Sequence, residues 1–477
     1  MRPDKKRTPT RNRLAVFSTA LVATLGVAAP ACARWRVIAA YQSNGVTQIG
    51  LQRTADRVLH VAWVRPASSR TAGDAAVFAT AIKPGGQLGP RSTIVSGWTA
   101  IGDADLVAAP GGKLEAFFNG QHSLSSNEPL DGLISAFDSS LGSSWSAPFL
   151  VQNRDSAYLA TPSVTLTQQG VPLETWTPPT AYPVVHRYLD PSTADFPAAG
   201  QGLGPNLATD TRSGATALAW YGFRTPGIFV QLVDGGSGAP VGKAYQLPIS
   251  SRDSSDFSSQ RLPLVARPGG GLFIAADTGP FGTPPELRLW KLGGGSDQLA
   301  GGSGHGFRTP ALAAGPDGRL WVAWTRDGTP GIFVRNSNRS LTGWSPTRRV
   351  SFPGHVVEVT QLDADAQAGR LDLIARFRPL SASQISLQAT QVQADLTFIA
   401  QPQSFNRRQR ATIHFRVTDG GTPVSGAIVR AGGEQATTNS NGNASLKLGP
   451  YSWRKRVTAT ATRSGYAVAT IVLRATG

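Results

Sequence analysis

A chain of 477 residues with 53 glycines, 34 prolines and many short apolar runs has the make-up of an all-β protein rather than an α/β one. The formal charge of +17, from 46 basic and 29 acidic residues, points towards anionic surroundings. After residue 40 no apolar run approaches the roughly 20 residues of a membrane-spanning helix, which excludes such a helix there.

Residues 1–33 read as a signal peptide. Arg2, Lys5, Lys6, Arg7, Arg11 and Arg13 form a basic start, Leu14 to Ala29 an apolar core, and Ala31-Cys32-Ala33 a small-residue cleavage motif. Cleavage after Ala33 makes the protein extracellular and removes Cys32, the one cysteine, leaving neither disulfide nor thiol. Lipid anchoring at Cys32 is the alternative. Loss of six basic and one acidic residue takes the charge from +17 to +12. Residues 401–477 carry eleven basic and two acidic residues, a net +9, so the excess is concentrated near the end. It serves either an anionic envelope polymer or ordinary solubility.

From Trp35 to about residue 399 one pattern recurs. An apolar strand follows a Gly-containing turn: Leu59 to Trp63, Leu114 to Phe118, Leu173 to Trp176, Ala217 to Trp220, Leu272 to Ala275, Leu320 to Trp324 and Leu371 to Ala375. The copies stand about 50 residues apart, the length of a four-stranded propeller blade. Glycine supplies the positive φ of the turn without a Cβ clash. Phe307 to Pro353 is the clearest copy, with strands expected at Thr309 to Ala313, Leu320 to Trp324, Gly331 to Val334 and Arg349 to Ser351. Several copies begin with a proline-led strand (Pro162, Pro205, Pro263, Pro310), where the missing N–H donor suits the first strand residue. The Trp or Phe that closes a recurring strand is expected to pack between blades. Seven units make a seven-bladed β-propeller over residues 34–399, six if the weak first and last units share a blade. Trp35 to Tyr41 is a candidate to complete the last blade.

Residues 400–477 lose the repeat. Strands at Ala411 to Val417, Ala427 to Arg430, Ala444 to Leu448, Val457 to Ala461 and Ala467 to Leu473 describe a C-terminal β-sandwich, with Gln401 to Ser404 as the hinge.

Two resemblances extend this reading. Phe307-Arg308-Thr309-Pro310 and Phe223-Arg224-Thr225-Pro226 resemble the aromatic-Arg-Ile-Pro motif of sialidase-type propellers. Asp138 to Trp145 resembles an Asp-box with its Ser and Asp exchanged, and Ser337 to Trp344 keeps the Ser and Trp of one. Pro423 to Val429, Thr437 to Ala444 and Gly465-Tyr466 resemble bacterial Ig-like and carboxypeptidase-regulatory-like modules, which are usually spacers or adhesive domains. The first resemblance implies an arginine triad for a substrate carboxylate, with Arg308 as its one weak candidate; the family carries that motif in its first blade, and here it opens the sixth. A tyrosine nucleophile and the other arginines have no placement in the sequence, so no catalytic residue is assigned.

No cofactor or metal is expected. His60, His122, His186, His305, His355 and His414 lack metal-ligand spacing. Asp363-Ala364-Asp365 lacks the remaining ligands of a calcium loop, and Gly238 to Lys243 falls short of a phosphate loop. The expected role is non-catalytic recognition of a glycan or anionic cell-envelope polymer, without specific nucleic-acid binding. A sialidase-like glycoside hydrolase and a protein-docking platform are the alternatives. Arginines and carboxylates gathered round one pocket would speak for the enzyme, an aromatic uncharged mouth for sugar binding.

Overall fold

A computed structural model describes residues 34–477 except 43–46, 70–72, 109–112, 124–131, 139–143, 154–159, 178–181, 188–195, 223, 248–260, 279–285, 302–306, 355 and 380–383. Residues 1–33, and with them the signal segment and Cys32, lie outside the described residues.

All regular structure of the described residues is β. Among them, seven four-stranded antiparallel sheets follow one another along the chain. Their innermost strands are Ile49–Arg53, Ala100–Ala108, Ala160–Leu166, Gly202–Thr209, Leu264–Ala266, Phe307–Ala314 and Val356–Gln367, here blades 1 to 7. Each innermost strand lies against that of the next blade, and Val356–Gln367 returns to Ile49–Arg53, so the ring closes as a β-propeller. The outermost strand of blade 7 is Arg36–Gln42, from the opposite end of the propeller chain, paired antiparallel with Gln384–Gln393. The two ends of the ring are thereby joined in one sheet.

The recurring apolar stretches are the second strands: Leu59–Arg65, Leu114–Gln121, Pro172–Thr177, Thr216–Gly222, Leu272–Thr278, Leu320–Arg326 and Arg370–Pro379. A second strand has a blade on each face, so both sets of alternating side chains are buried and the apolar run is nearly continuous. Trp63 packs with Ile374 and Leu387 of blade 7, and Trp324 with Leu287 and Leu299 of blade 5. The closing aromatics thus pack between blades.

Three of the four prolines differ from their expected place, while Pro263 stands directly before its strand. Pro162, Pro205 and Pro310 lie within their strands, where pairing to the second strand slips between residues 160 and 163, 203 and 206, and 308 and 311. A bulge leaves a residue unpaired, so a proline without an N–H is accommodated there.

The C-terminal part is two sheets over one apolar core containing Phe398, Phe405, Ile413, Phe415, Leu446, Val457 and Leu473. One sheet contains Thr397–Gln401, Ala411–Asp419, Thr422–Pro423 and Asn443–Leu448; the other contains Ser404–Asn406, Ile428–Ala431, Glu434–Thr437, Lys455–Thr462 and Ala469–Thr476. The strand Thr397–Gln401 crosses the expected boundary at 399/400, and Gln401 to Ser404 lies inside the sandwich rather than acting as a hinge. The link is Ala394 to Leu396, with Ala394 fully buried and bridged to Tyr466. Phe398 and Phe415 stack on the inner face of the sheet they share and hold this strand to the second domain.

Candidate functional site

The innermost strands present polar side chains to the centre of the ring. Blade 2 contributes Asp103 and Asp105, and blade 7 contributes Asp363 and Asp365; both pairs come from Asp-Ala-Asp sequences, whose period of two sends both carboxylates to one face. Asp105 pairs in register with Phe117 and Asp363 with Ile374, each the fourth residue of its apolar stretch, so the two aspartates hold equivalent positions on either side of blade 1. Blade 1 has Gly50 there, paired with Ala62. A Cβ on Gly50 would lie 2.9 Å from the Asp105 Cα, so glycine lets the neighbouring strand approach.

Arg261, just before the innermost strand of blade 5, reaches across the ring to this place. Its guanidinium lies 2.5 Å from Asp105 Oδ2 and 3.8 Å from Asp363 Oδ2, and it donates to the Ile49 carbonyl at 3.2 Å. One side chain therefore links blades 5, 2, 7 and 1. Asp103 accepts the Gln48 and Thr161 backbone N–H groups at 2.6 and 2.8 Å, tying blade 2 to both neighbours. Arg53 donates to Asp365 at 2.6 Å and to Asp372 at 2.7 Å, and Arg376 to the Thr47 hydroxyl at 2.8 Å. The side chains of Asp363 and Asp365 are 28% and 25% exposed, whereas Asp105 and Asp372 are almost fully covered. Burial pushes the carboxyls of Asp363 and Asp365 up to about 6, with Arg261 and Arg53 respectively opposing that rise. The centre thus combines charge-assisted hydrogen bonds with two partly accessible carboxyls held above the ordinary carboxylate range.

Arg308 is elsewhere. It is exposed, and its Nε donates to Asp327 Oδ1 at 2.5 Å in a pair more than two-fifths open to solvent on both sides. Arg224 lies in an exposed turn. Neither belongs to the central cluster. Arg261, Asp105, Asp363 and Asp365 escape a motif search because the strands that bring them together are separated by hundreds of residues. The two Asp-Ala-Asp runs were the available signal. No group of three or more His, Cys, Asp or Glu side chains suited to a metal occurs among the described residues.

The described ends of the two Asp-box-like segments make the same contacts. Asp138 bridges Trp145, and Ser337 bridges Trp344. Ser146 Oγ accepts from the Phe137 N–H and Ser345 Oγ from the Asn336 N–H, both at 3.0 Å. Leu341, where the Asp-box motif has glycine, takes a φ of +60°.

No protein-family profile and no curated protein matches the chain. Among solved structures it is similar to a Dyadobacter fermentans protein of unknown function, at 12% identity and a TM-score of 0.43, covering 75% of this chain and 99% of that one. It is also similar to the SapL1 lectin in complex with α-methyl fucoside, at 16% identity and 0.38, covering 66% and 98%. A third is the α-L-arabinofuranosidase Arb93A from Fusarium graminearum, at 12% identity and 0.38, covering 61% and 92%.

Proposed function

We propose that this is an exported protein whose propeller binds a hydroxyl-rich, largely uncharged glycan at the centre of the ring. The observation that carries this reading is the pairing of the central charges. Arg53 and Arg261 are matched by Asp105, Asp363, Asp365 and Asp372. A cation already matched to carboxylates is a poor trap for an anion but still offers N–H donors beside carboxylate acceptors. That alternation suits the vicinal hydroxyls of a sugar. The Asp-box-like turns support a sialidase-type propeller scaffold, and the C-terminal sandwich is read as an Ig-like module that positions it. Residues 1–33 are the export signal, so mass analysis of the exported protein should give an N-terminus at Arg34; a diacylglycerol mass on Cys32 would establish the lipid-anchored form instead.

A glycoside hydrolase is the second reading, and the carboxyl of Asp363 favours it. A group titrating near 6 can hold a proton for a leaving oxygen, and Asp105 lies on the far side of the same guanidinium. Arginines and carboxylates gathered at one place also match the pattern expected of an enzyme. The test exposes the protein to sialylated and neutral oligosaccharides and measures both retention and product by mass spectrometry, with Asp363→Asn and Arg308→Ala alongside. Recognition predicts retention of neutral sugars without product, weakened roughly tenfold by Asp363→Asn through a lost charged hydrogen bond. Arg308→Ala should change nothing. Product that disappears in Asp363→Asn would establish the hydrolase, and neither retention nor product would sink both readings.

A further inference from the structure

We propose that the end of the C-terminal sandwich farthest from the propeller docks on an anionic phospholipid surface. The strand Ala411–Asp419 gives the direction. Its last residue, Asp419, forms an ion pair with Arg319 of blade 6, so Ala411 stands at the opposite pole. Lys455–Thr462 starts at that pole and Ala469–Thr476 ends there, because Lys455 pairs with Ala475. The loops before these strands converge there too. Arg407 donates to the main-chain oxygens of Gly477 and Ser452 at 2.7 and 2.8 Å, and the Tyr451 N–H donates to the Arg407 carbonyl.

This pole gathers Arg408, Arg410, Arg454, Lys455, Arg456 and Arg474, all exposed. None of the six has a carboxylate within ion-pair distance among the described residues. Of the two acids in residues 401–477, Asp419 is committed to the propeller at the other end, which leaves Glu434. Arg456 and Arg474 lie directly opposite each other on adjacent strands, a like-charge pair that costs stability unless an external anion screens it. Trp453, beside Arg454-Lys455-Arg456, is 67% exposed, the most open of the large exposed apolar side chains.

A projecting indole at a pole of cations that have no carboxylate partner among the described residues fits a lipid headgroup layer. The ring enters the interface while the cations meet phosphates, each worth about fivefold in affinity at an anionic surface. A linear polyanion would be better served by a groove, and here the aromatic ring stands out from the surface. Docking this way would hold the propeller about 25–30 Å from the lipid, the length of the Ala411–Asp419 strand. The inference is independent of the glycan site.

The test is co-sedimentation of the exported protein, Arg34 to Gly477, with vesicles of pure phosphatidylcholine and of equimolar phosphatidylcholine and phosphatidylglycerol. Every variant starts at Arg34, so the basic and apolar residues 1–33 add no vesicle binding of their own. The triple variant Arg454→Ser/Lys455→Ser/Arg456→Ser should weaken binding to the anionic vesicles on the order of 100-fold. Added salt should weaken the parent in the same direction. Brominated phosphatidylglycerol should quench part of the parent fluorescence, and Trp453→Phe should remove that part. Equal binding of the triple variant and the parent, or quenching unchanged in Trp453→Phe, would overturn the proposal. Tight binding to soluble heparin or polyphosphate with no vesicle binding would also overturn it, assigning the pole to a polymer.

Discussion

Glu174 shows how far a residue can depart from what its sequence neighbours imply. Leu173-Glu174-Thr175-Trp176 sets a carboxylate inside one of the recurring apolar strands. The strand is the second of blade 3, covered on both faces, so Glu174 is 1% exposed and both carboxyl oxygens lack a hydrogen-bond partner among the described residues. Burial pushes its carboxyl well above the ordinary range, and the neighbouring Glu115 adds to the shift. An acid whose pKa is raised by folding binds its proton more tightly in the folded state. Its contribution is intact below the unfolded pKa of about 4.3 and is lost as pH climbs through the higher folded value. Glu174→Met should therefore raise stability at pH 8 by at least about 1 kcal/mol and reduce its fall with pH, as read by urea unfolding at several pH values. A variant no more stable than the parent at pH 8 would show that the carboxyl is satisfied. At this scale the acidic residues were legible as residues, but their burial was not, because it depends on a neighbouring blade.

The turn between the third and fourth strands of blade 6 carries a lesson about elements. Ser337 to Trp344 lacks the Asp and the Gly of an Asp-box, yet it keeps the bridge and side-chain hydrogen bonds of its blade 2 counterpart. Its Asn338 Nδ2 donates to the Gly420 carbonyl and the Thr422 hydroxyl, at 3.1 and 2.9 Å, so the turn docks the sandwich. Gly343 is needed there because a Cβ would overlap the Gly420 carbonyl oxygen. Gly343→Ala should push the sandwich from blade 6 while leaving both cores folded. The expected readout is a larger radius of gyration by X-ray scattering with unchanged β-sheet circular dichroism. An unchanged radius would mean that the turn does not set the docking. The strands themselves were legible, since apolar stretches and Gly turns are local features. The bulges holding Pro162, Pro205 and Pro310 were not, because a bulge is a relation between two strands.

Across the whole molecule, closure rests on Arg36–Gln42 completing blade 7 and on the latch between the propeller and the sandwich. Arg319 is almost fully buried between Asp317, at 2.9 Å, and Asp419, and it donates to the Tyr466 hydroxyl at 2.7 Å. Arg319→Ala would leave Asp419 covered and without its cation, a loss of roughly 3–5 kcal/mol. Because that loss falls on the interface, calorimetry should show the sandwich transition separating from that of the propeller. A single unshifted transition would mean that Arg319 does not carry the coupling between the two domains. By itself the sequence determined the β class, the repeated unit, the strand positions and the change of character near residue 400. These follow from side-chain period and turn chemistry within a few residues. Only the tertiary structure decided that Arg261 meets Asp105 and Asp363, that Arg308 stands apart from that cluster, and that six of the late basic residues gather at the pole that carries Trp453. Each of these depends on ring closure or sheet packing, which brings together residues that no local pattern connects.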